Sequence, residues 1–292
     1  MNIDFSSVEK IIDEASKKGI AISEVVLRQS VIDAKMSEAE ILEKMAKNLD
    51  VMKSSIDEGL SPSTRSLSGL TNNEAHLFKA HVDSGKSLAG KLIGEAVYSS
   101  IAVMSTNACM GRIVAAPTAG SSGIMPGCLL GMMANLNFDK EKLVRGLLNA
   151  SGIGMVIAKN ASVSGAVGGC QAECGSAAAM AASAMVEVMG GTPQMCGDAV
   201  AHALKSLMGL VCDPVAGLVE EPCVTRNAAA TSVAIISADM ALAGIKSIIP
   251  VDEVIVAMGE VGKMLPEALR ETALGGLADT PTARKLEKEI FG

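Results

Sequence analysis

Aromatic side chains are nearly absent from this chain of 292 residues, which has no Trp, one Tyr and four Phe. Gly (29 residues) and Met (18 residues) are abundant instead, and 49% of the sequence is apolar. A core built from such residues is filled by small or flexible side chains. The composition therefore favours a folded protein made of closely packed helices.

Blocks of basic residues are also lacking, and the formal net charge is −7. Proteins that bind the nucleic-acid backbone without sequence preference depend on clustered Lys and Arg. The charge pattern argues against this class, so we expect no nucleic-acid partner.

Long uninterrupted apolar runs are the third absence. The two most apolar stretches, 175–188 and 227–245, are broken by Ser, Thr, Glu187 or Asp239, so we interpret both as buried helices. A membrane transport component is an alternative suggested only by the positive mean hydropathy. The N-terminal segment MNIDFSSVEK does not resemble a secretory signal, which predicts a cytoplasmic protein with no membrane partner.

Cysteine is present seven times, an odd number that argues against a disulfide framework and leaves buried thiols or metal ligands. Cys170, Cys212 and Cys223 lie where helices are predicted to begin or end. A helix N-terminus stabilises a thiolate, so Cys170 and Cys223 should deprotonate readily. The spacings match no compact ferredoxin pattern, and on spacing alone both cluster ligands and buried free thiols stay open.

The hydrophobic periodicity predicts an all-α fold with no convincing strand. Capping-box patterns that start at Ser6 and Ser37 predict two N-terminal helices, ending near Gly19 and Gly59. A polar segment follows Gly59, which divides the chain into an N-terminal helical arm (1–60) and an all-helical domain with Gly-rich loops (61–292). The helices predicted in the second part cover 86–107, 123–134, 139–158, 171–189, 194–209, 226–246, 252–264 and a short charged C-terminal segment.

Polar residues around the candidate ligands are predicted to bind substrate. The segment APTAGSSG, which ends at Gly123, offers hydroxyls and backbone N–H groups before a helix, an arrangement suited to a carboxylate. Helix capping alone explains these residues equally well. The candidate substrate-binding residues are Thr118, Ser121, Ser122, Asn160, Ser164 and Gln171, of which the last three could instead be turn formers.

Three segments resemble the α-chain motifs of the iron–sulfur L-serine dehydratases. They are APTAGSSGIMPGCL, which ends at Leu129, SVSGAVGGCQAECGSAAAMAA (162–182) and LVCDPVAGLVEEPCVTRNA (210–228). The resemblance extends over about residues 60–265. It implies a chain of the two-chain type, which eliminates water from L-serine and yields pyruvate and ammonia.

The resemblance also implies that Cys170, Cys212 and Cys223 hold a 4Fe-4S cluster. Because no cysteine follows Cys223, the fourth iron is expected to stay open to water or serine, where it acts as a Lewis acid. Cys174 lies one turn after Cys170, but the resemblance assigns no ligand there. Small core residues are the expected role of the remaining cysteines, which are Cys109, Cys128 and Cys196.

The catalytic base is left unknown by the sequence. The three histidines are His76, His81 and His202, and a histidine on a helix is more often a packing or surface residue. In the family, the motif considered to supply the base belongs to the β domain and is not found here, so a β chain is the expected partner. No pyridoxal phosphate is expected, because Lys159 resembles a Schiff-base lysine only superficially.

Two alternative functions are kept. One is a related iron–sulfur lyase acting on another small amino acid such as cysteine, because a soft iron also accepts a thiolate. The other is a non-catalytic structural subunit in which the cysteines are core residues. Iron binding distinguishes the structural subunit from the two lyases. Substrate assays distinguish the serine dehydratase from a lyase acting on another amino acid.

Overall fold

The computed structural model describes residues 5–292, with the backbone alone at positions 132–134. These residues form helices and no strand; one isolated β-bridge joins Cys212 to Arg270. The predicted all-α fold is thus confirmed. The helices are α1 (Val8–Lys18), α2 (Ile22–Ala34), α3 (Glu38–Gly59), α4 (Glu74–Asp83), α5 (Gly90–Ala108), α6 (Ile124–Leu136), α7 (Lys140–Asn160), α8 (Gly165–Gly168), α9 (Ser176–Val188), α10 (Pro193–Leu207), α11 (Cys223–Leu242), α12 (Val251–Met264) and α13 (Pro281–Phe291).

The ends of the N-terminal helices follow from local capping. Ser37 and Glu40 form the predicted capping box, with the Glu40 N–H donating to Ser37 Oγ (3.3 Å). At α1 the prediction was wrong by one residue: Ser7, not Ser6, is the N-cap, and its hydroxyl accepts from the Lys10 N–H (3.1 Å). Ser6 precedes the N-cap position, and its hydroxyl accepts from Lys10 Nζ (2.9 Å).

Helices α2 and α4 were not predicted. The N-cap of α2 is Ala21, a residue type that cannot cap, so the usual start signal is missing there. Asn73, the N-cap of α4, is a favoured capping residue but makes no side-chain capping bond. For α2, packing against the rest of the protein stabilises the helix where a local signal is absent. Val25, Val26 and Leu27 of α2 are buried, and α2 packs mainly against α7.

Helices α1 to α3 contribute to the same hydrophobic core as the later helices. Ile11, Leu49 and Met52 belong to this core, and α3 packs along α5. The division near residue 60 stays a prediction.

Helix α9 is the central helix of the fold. All residues from Ala177 to Ala182 are buried, and α9 packs against α6, α7, α10 and α11. Its sequence, SAAAMAASAMVEV, presents small side chains on every face, as a helix surrounded by others requires. The predicted helix 171–189 begins differently, with one π-helical turn at Gln171–Gly175 that leads into α9. Such turns are frequent at functional sites.

Every helix found in residues 5–292 falls short of the length or the apolar character that a membrane crossing needs.

Candidate metal centre

Cys170 lies between α8 and the π-helical turn, where the backbone is closely packed. The Gln171 N–H donates to the Leu210 carbonyl (2.9 Å), which ties this turn to the loop that carries Cys212. Gly169 has φ +73°, and a Cβ there would lie 2.8 Å from the Leu210 oxygen. A side chain at position 169 is therefore excluded by both conformation and space.

Cys212 is held from the opposite side by the segment after α12. Its N–H donates to the Leu269 carbonyl (2.9 Å), and its own carbonyl accepts from the Glu271 N–H (2.7 Å). Both backbone polar groups of Cys212 are thus satisfied by one segment. This contact fixes the position of the thiol relative to Cys170.

Cys170, Glu173 and Cys212 bring one ligand atom each to the same place, with all three atoms within 4.8 Å of one another. The three residues are only 2%, 8% and 3% exposed, respectively. Glu173 is not among the residues predicted from the sequence. A signal was present, because a Glu three positions after Cys170 in CQAEC lies on the same side of a helical turn.

The thiol of Cys170 is the most acidic group of the site. Hydrogen bonds from the Cys174 and Cys212 thiols, helped by the nearby Arg226 guanidinium, lower the pKa of Cys170 to about 3. Donation to Cys170 raises the pKa of the Cys212 thiol, and burial raises the pKa of the Cys223 thiol. Ligation of a metal by the Cys212 and Cys223 thiols must therefore release protons.

Glu173 shares this environment. Burial, opposed by a hydrogen bond from Thr118 and reinforced by the charge of Cys170, raises the pKa of the Glu173 carboxyl to about 7. Thr118 Oγ1 donates to Glu173 Oε1 (2.6 Å) and lies 3.1 Å from Ser121 Oγ. A chain of hydroxyls therefore connects the predicted substrate loop to the carboxylate.

Arg226 lies directly behind Cys170. Its Nη1 donates to the Val211 carbonyl (2.8 Å) and to Cys170 Sγ (3.6 Å), while Nη2 pairs with Asp213 Oδ1 (2.7 Å). The Arg226 and Asp213 side chains are only 15% and 4% exposed. This ion pair thus links α11 to the Cys212 loop beneath the thiolate.

We expect Asp213→Ala to lower the free energy of unfolding by about 3 kcal/mol, because Arg226 would be left buried without its partner. Glu260→Ala is the matched control: it removes an ion pair with Lys263 in which both side chains are largely exposed, and should cost less than about 1 kcal/mol. Urea denaturation measures both. Equal small losses would contradict a structural role for the buried pair.

Cys223 lies outside the 4.8 Å group. It is the first residue of α11 and is 7% exposed. The charges of Cys170 and Glu173 contribute to its raised thiol pKa. One turn later, Asn227 fixes this helix to the predicted substrate loop: its Nδ2 donates to the Gly120 carbonyl (2.7 Å), and its Oδ1 accepts from the Gly123 N–H (3.1 Å). Cys223 and the loop are thereby positioned together.

The predicted substrate-binding residues separate into two groups. Thr118 and Ser121 join the hydroxyl chain to Glu173, and Ser122 Oγ donates to the Ala119 carbonyl (2.8 Å). The amides of the second group bind backbone: Asn160 Nδ2 donates to the Ser6 carbonyl (2.9 Å), and Gln171 Nε2 donates to the Met258 carbonyl (3.1 Å).

Ser164, the last member of the second group, is the N-cap of α8, with no capping bond from its side chain. Gln171 also accepts from the Gly209 N–H (2.8 Å), so its amide braces two elements around Cys170. Substrate binding by all six candidates stays a prediction.

The other cysteines differ in their surroundings. Cys174 is 1% exposed, and its thiol helps to lower the pKa of Cys170. Cys128 and Cys196 are 0% and 1% exposed, as expected of core residues, and burial raises the pKa of Cys196 to about 12. Cys109 is only partly buried.

The three histidines lie on α4 and α10. The His81 ring packs edge-on against Phe78, and His202 Nε2 lies 3.0 Å from the Ile245 carbonyl. These contacts are structural and give neither histidine a link to the metal centre. His76 is also on α4, and no contact connects it to the metal centre among the hydrogen bonds and ion pairs of residues 5–292.

An all-helical protein with two buried thiols and a carboxylate around one point, and a third thiol nearby, defines a candidate metalloprotein with a soft, sulfur-rich site. Comparison with known proteins identifies the family. Residues 17–278 match the family described as serine dehydratase alpha chain. The chain belongs to this family.

Similar proteins agree over nearly the full length. A probable L-serine dehydratase α chain of Bacillus subtilis is 51% identical over 99% of this chain and 96% of its own length. The L-serine dehydratase α chain of Peptoniphilus asaccharolyticus is 45% identical over 98% of both chains. An L-serine dehydratase of Escherichia coli is 34% identical, but the match covers 94% of this chain and only 62% of that protein.

Proposed function

We propose that this protein is the α chain of an iron–sulfur L-serine dehydratase, which converts L-serine to pyruvate and ammonia. The observation that carries the proposal is the near-complete match to two bacterial proteins, one named L-serine dehydratase α chain and the other probable L-serine dehydratase α chain. The sulfur-rich centre supports it, because all of its residues lie within the region 17–278 that matches the family.

The residues present fit a 4Fe-4S cluster. Cys170, Cys212 and Cys223 supply three thiols in a buried, glycine-rich setting, and the Arg226 guanidinium offsets the negative charge that thiolate ligands bring. We assign these cysteines as the ligands. When bound, a cluster held by three cysteines offers one open iron as a Lewis acid for the substrate hydroxyl.

The chain's own residues then bind and orient serine. Thr118 and Ser121, just before α6, offer hydroxyls at the side of the centre where Glu173 lies, and we propose that Ser122 acts with them. We also propose that Asn160, Ser164 and Gln171 contact substrate. Gln171 is buried directly after Cys170, and its amide is fixed by the Met258 carbonyl and the Gly209 N–H. A fixed side chain keeps a substrate oriented.

A second chain completes the proposed enzyme. The E. coli relative is longer than this chain by more than a third of its own length, whereas the α-chain relatives are of matching length. We infer that the additional part corresponds to a separate β chain, which supplies the base that removes the Cα proton. Departure of the hydroxyl gives 2-aminoacrylate, which tautomerises to an imine and takes up water to yield pyruvate and ammonia. We assign the complex to the cytoplasm.

The test is an anaerobic assay of the chain reconstituted with iron and sulfide and mixed with the β chain. We expect pyruvate from L-serine, and a loss of this activity on exposure to air, because an open iron is attacked by oxygen. Iron binding without pyruvate from serine, but with pyruvate and sulfide from cysteine, would favour the alternative lyase. Failure to bind iron would overturn the proposal.

A further inference from the structure

Arg226 and the proposed cluster ligand Cys223 lie on the same side of α11. Cys223 is the first residue of this helix, and a residue three positions later projects in the same direction. The Arg226 N–H donates to the Pro222 carbonyl (2.9 Å), which places Arg226 in the regular helix. Helix α11 therefore brings a cation to the metal centre together with a thiol.

The guanidinium group of Arg226 contacts three acceptors at once. Nη1 donates to Cys170 Sγ (3.6 Å) and to the Val211 carbonyl (2.8 Å), and Nη2 pairs with Asp213 Oδ1 (2.7 Å). Val211 and Asp213 are the two neighbours of the proposed ligand Cys212 in the chain. One side chain thus joins the segments that carry all three proposed ligands.

These contacts depend on the shape of arginine. Its guanidinium is planar and presents the N–H groups in a fixed fork, whereas lysine carries a compact charge on a flexible stem. The side chains of Arg226 and Asp213 are largely buried, and electrostatic interactions are stronger where water is excluded. The charge of Arg226 therefore acts on the Cys170 sulfur with little screening.

A hydrogen bond from a cation to a ligand sulfur favours the more negative state of the metal group. When bound, a 4Fe-4S cluster gains one negative charge on reduction by one electron, and hydrogen bonds to the sulfurs help to set its reduction potential. The contact from Arg226 should therefore raise this potential. For the same reason, dioxygen should take an electron from the cluster, and become superoxide, less readily.

We propose that Arg226 is a positioning residue that holds the Cys170 ligand in place and raises the reduction potential of the cluster. This inference rests on the proposed function and adds a residue that retains the cluster. A higher potential disfavours the one-electron oxidation that precedes loss of iron in air. Arg226 thereby prolongs the life of a cluster whose fourth iron is open.

The test is a reductive titration of the anaerobic, cluster-loaded αβ complex with dithionite, followed by the electron paramagnetic resonance signal of the reduced cluster. Arg226→Gln keeps an amide donor but removes the charge and the fork. We expect the equilibrium to shift about tenfold toward the oxidised cluster, which is about 59 mV toward a more negative potential for one electron. Iron loss in air should be about tenfold faster, the lower end of what residues behind a metal ligand usually contribute.

Asp213→Asn separates this role from a structural one. It breaks the same ion pair, but it leaves the cation beside Cys170 and removes a negative charge, so the potential should become more positive. A merely structural role of the ion pair predicts a shift in the same direction for both variants. Glu260→Gln, which breaks the exposed ion pair with Lys263, should leave the potential unchanged.

A second variant covers the case in which Arg226→Gln takes up less iron than the wild type. Arg226→Gln combined with Asp213→Asn replaces the ion pair by a neutral pair, so that no buried charge is left without a partner. Its potential should still be more negative than that of the wild type. The lost cation contacts Cys170, whereas the lost anion is one contact further away.

An unchanged potential in the loaded Arg226→Gln complex or in the loaded double variant would overturn the inference, and so would a more negative potential in Asp213→Asn. Each of these results leaves the dehydratase assignment intact, because the complex still holds its cluster and is assayed with serine. A wild-type complex that takes up no iron would overturn the proposed function itself. The two failures are therefore distinguishable.

Discussion

Replacing Cys170 by serine is expected to abolish cluster binding and to lower pyruvate formation by more than about 100-fold, since even residues behind a metal ligand typically contribute 10- to 100-fold. The pKa of the Cys170 thiol is lowered, and its Sγ lies within 4.8 Å of ligand atoms from Glu173 and Cys212. A serine hydroxyl is far less acidic and a poor ligand for iron. Iron and sulfide analysis of the reconstituted chain, followed by the serine assay, measures both effects.

Cys196→Ser is the matched control for this prediction. Cys196 is equally buried, at 1% exposure, but it lies on α10 beside Asn149, whose Nδ2 donates to its sulfur (3.8 Å). We expect full cluster content in this variant. Cys212→Ser and Cys223→Ser should lose iron like Cys170→Ser. Normal iron in the Cys223 variant would show that Glu173, the third member of the close group, replaces it as a ligand.

The second large effect is expected for Gly123→Ala, at the end of the predicted substrate loop. A Cβ at this position would overlap the backbone oxygen of Ser100 and lie 2.9 Å from Ser100 Oγ and 3.1 Å from Asn227 Oδ1. Backbone atoms of α5 cannot yield without moving the helix. We expect a loss of about 3 kcal/mol in the free energy of unfolding, together with weaker serine binding as the loop shifts.

Gly154→Ala tests whether that loss is specific to the loop. Its Cβ would lie 3.0 Å from the end of the Met180 side chain, which is flexible and can move aside. Alanine also favours a helix over glycine by about 1 kcal/mol, so this variant should be neutral or more stable. Urea denaturation compares the two. Similar stability of both variants would contradict the close packing of Gly123 against α5.

Much of the fold was predictable because its signals are local. Glycine- and proline-punctuated helical runs and the capping box at Ser37 required only neighbouring residues, and the structure confirms them. The errors in the predicted helices also come from local signals, which were absent or ambiguous at those positions. Helix α2 has no capping side chain, and at α1 two adjacent serines, Ser6 and Ser7, gave the same local signal.

The site was predicted less completely. Its cysteines were identified through motif resemblance. Glu173 was missed, although its spacing of three residues from Cys170 places both on the same side of a helical turn. The amides of Asn160 and Gln171 were predicted to face substrate, and in the structure they bond to backbone carbonyls of Ser6 and Met258. Hydrogen-bond partners this distant in sequence leave no local pattern.

The sequence by itself determined the helical class, the motifs that mark the family and the identity of the thiols, since each depends on residue type and short-range periodicity. Only the tertiary structure decided which groups meet. The π-helical turn at Gln171–Gly175, the loop of Cys212 and the start of α11 converge through packing and long-range backbone hydrogen bonds. That convergence places Glu173 with Cys170 and Cys212, pairs Arg226 with Asp213, and leaves Cys223 at the edge of the group.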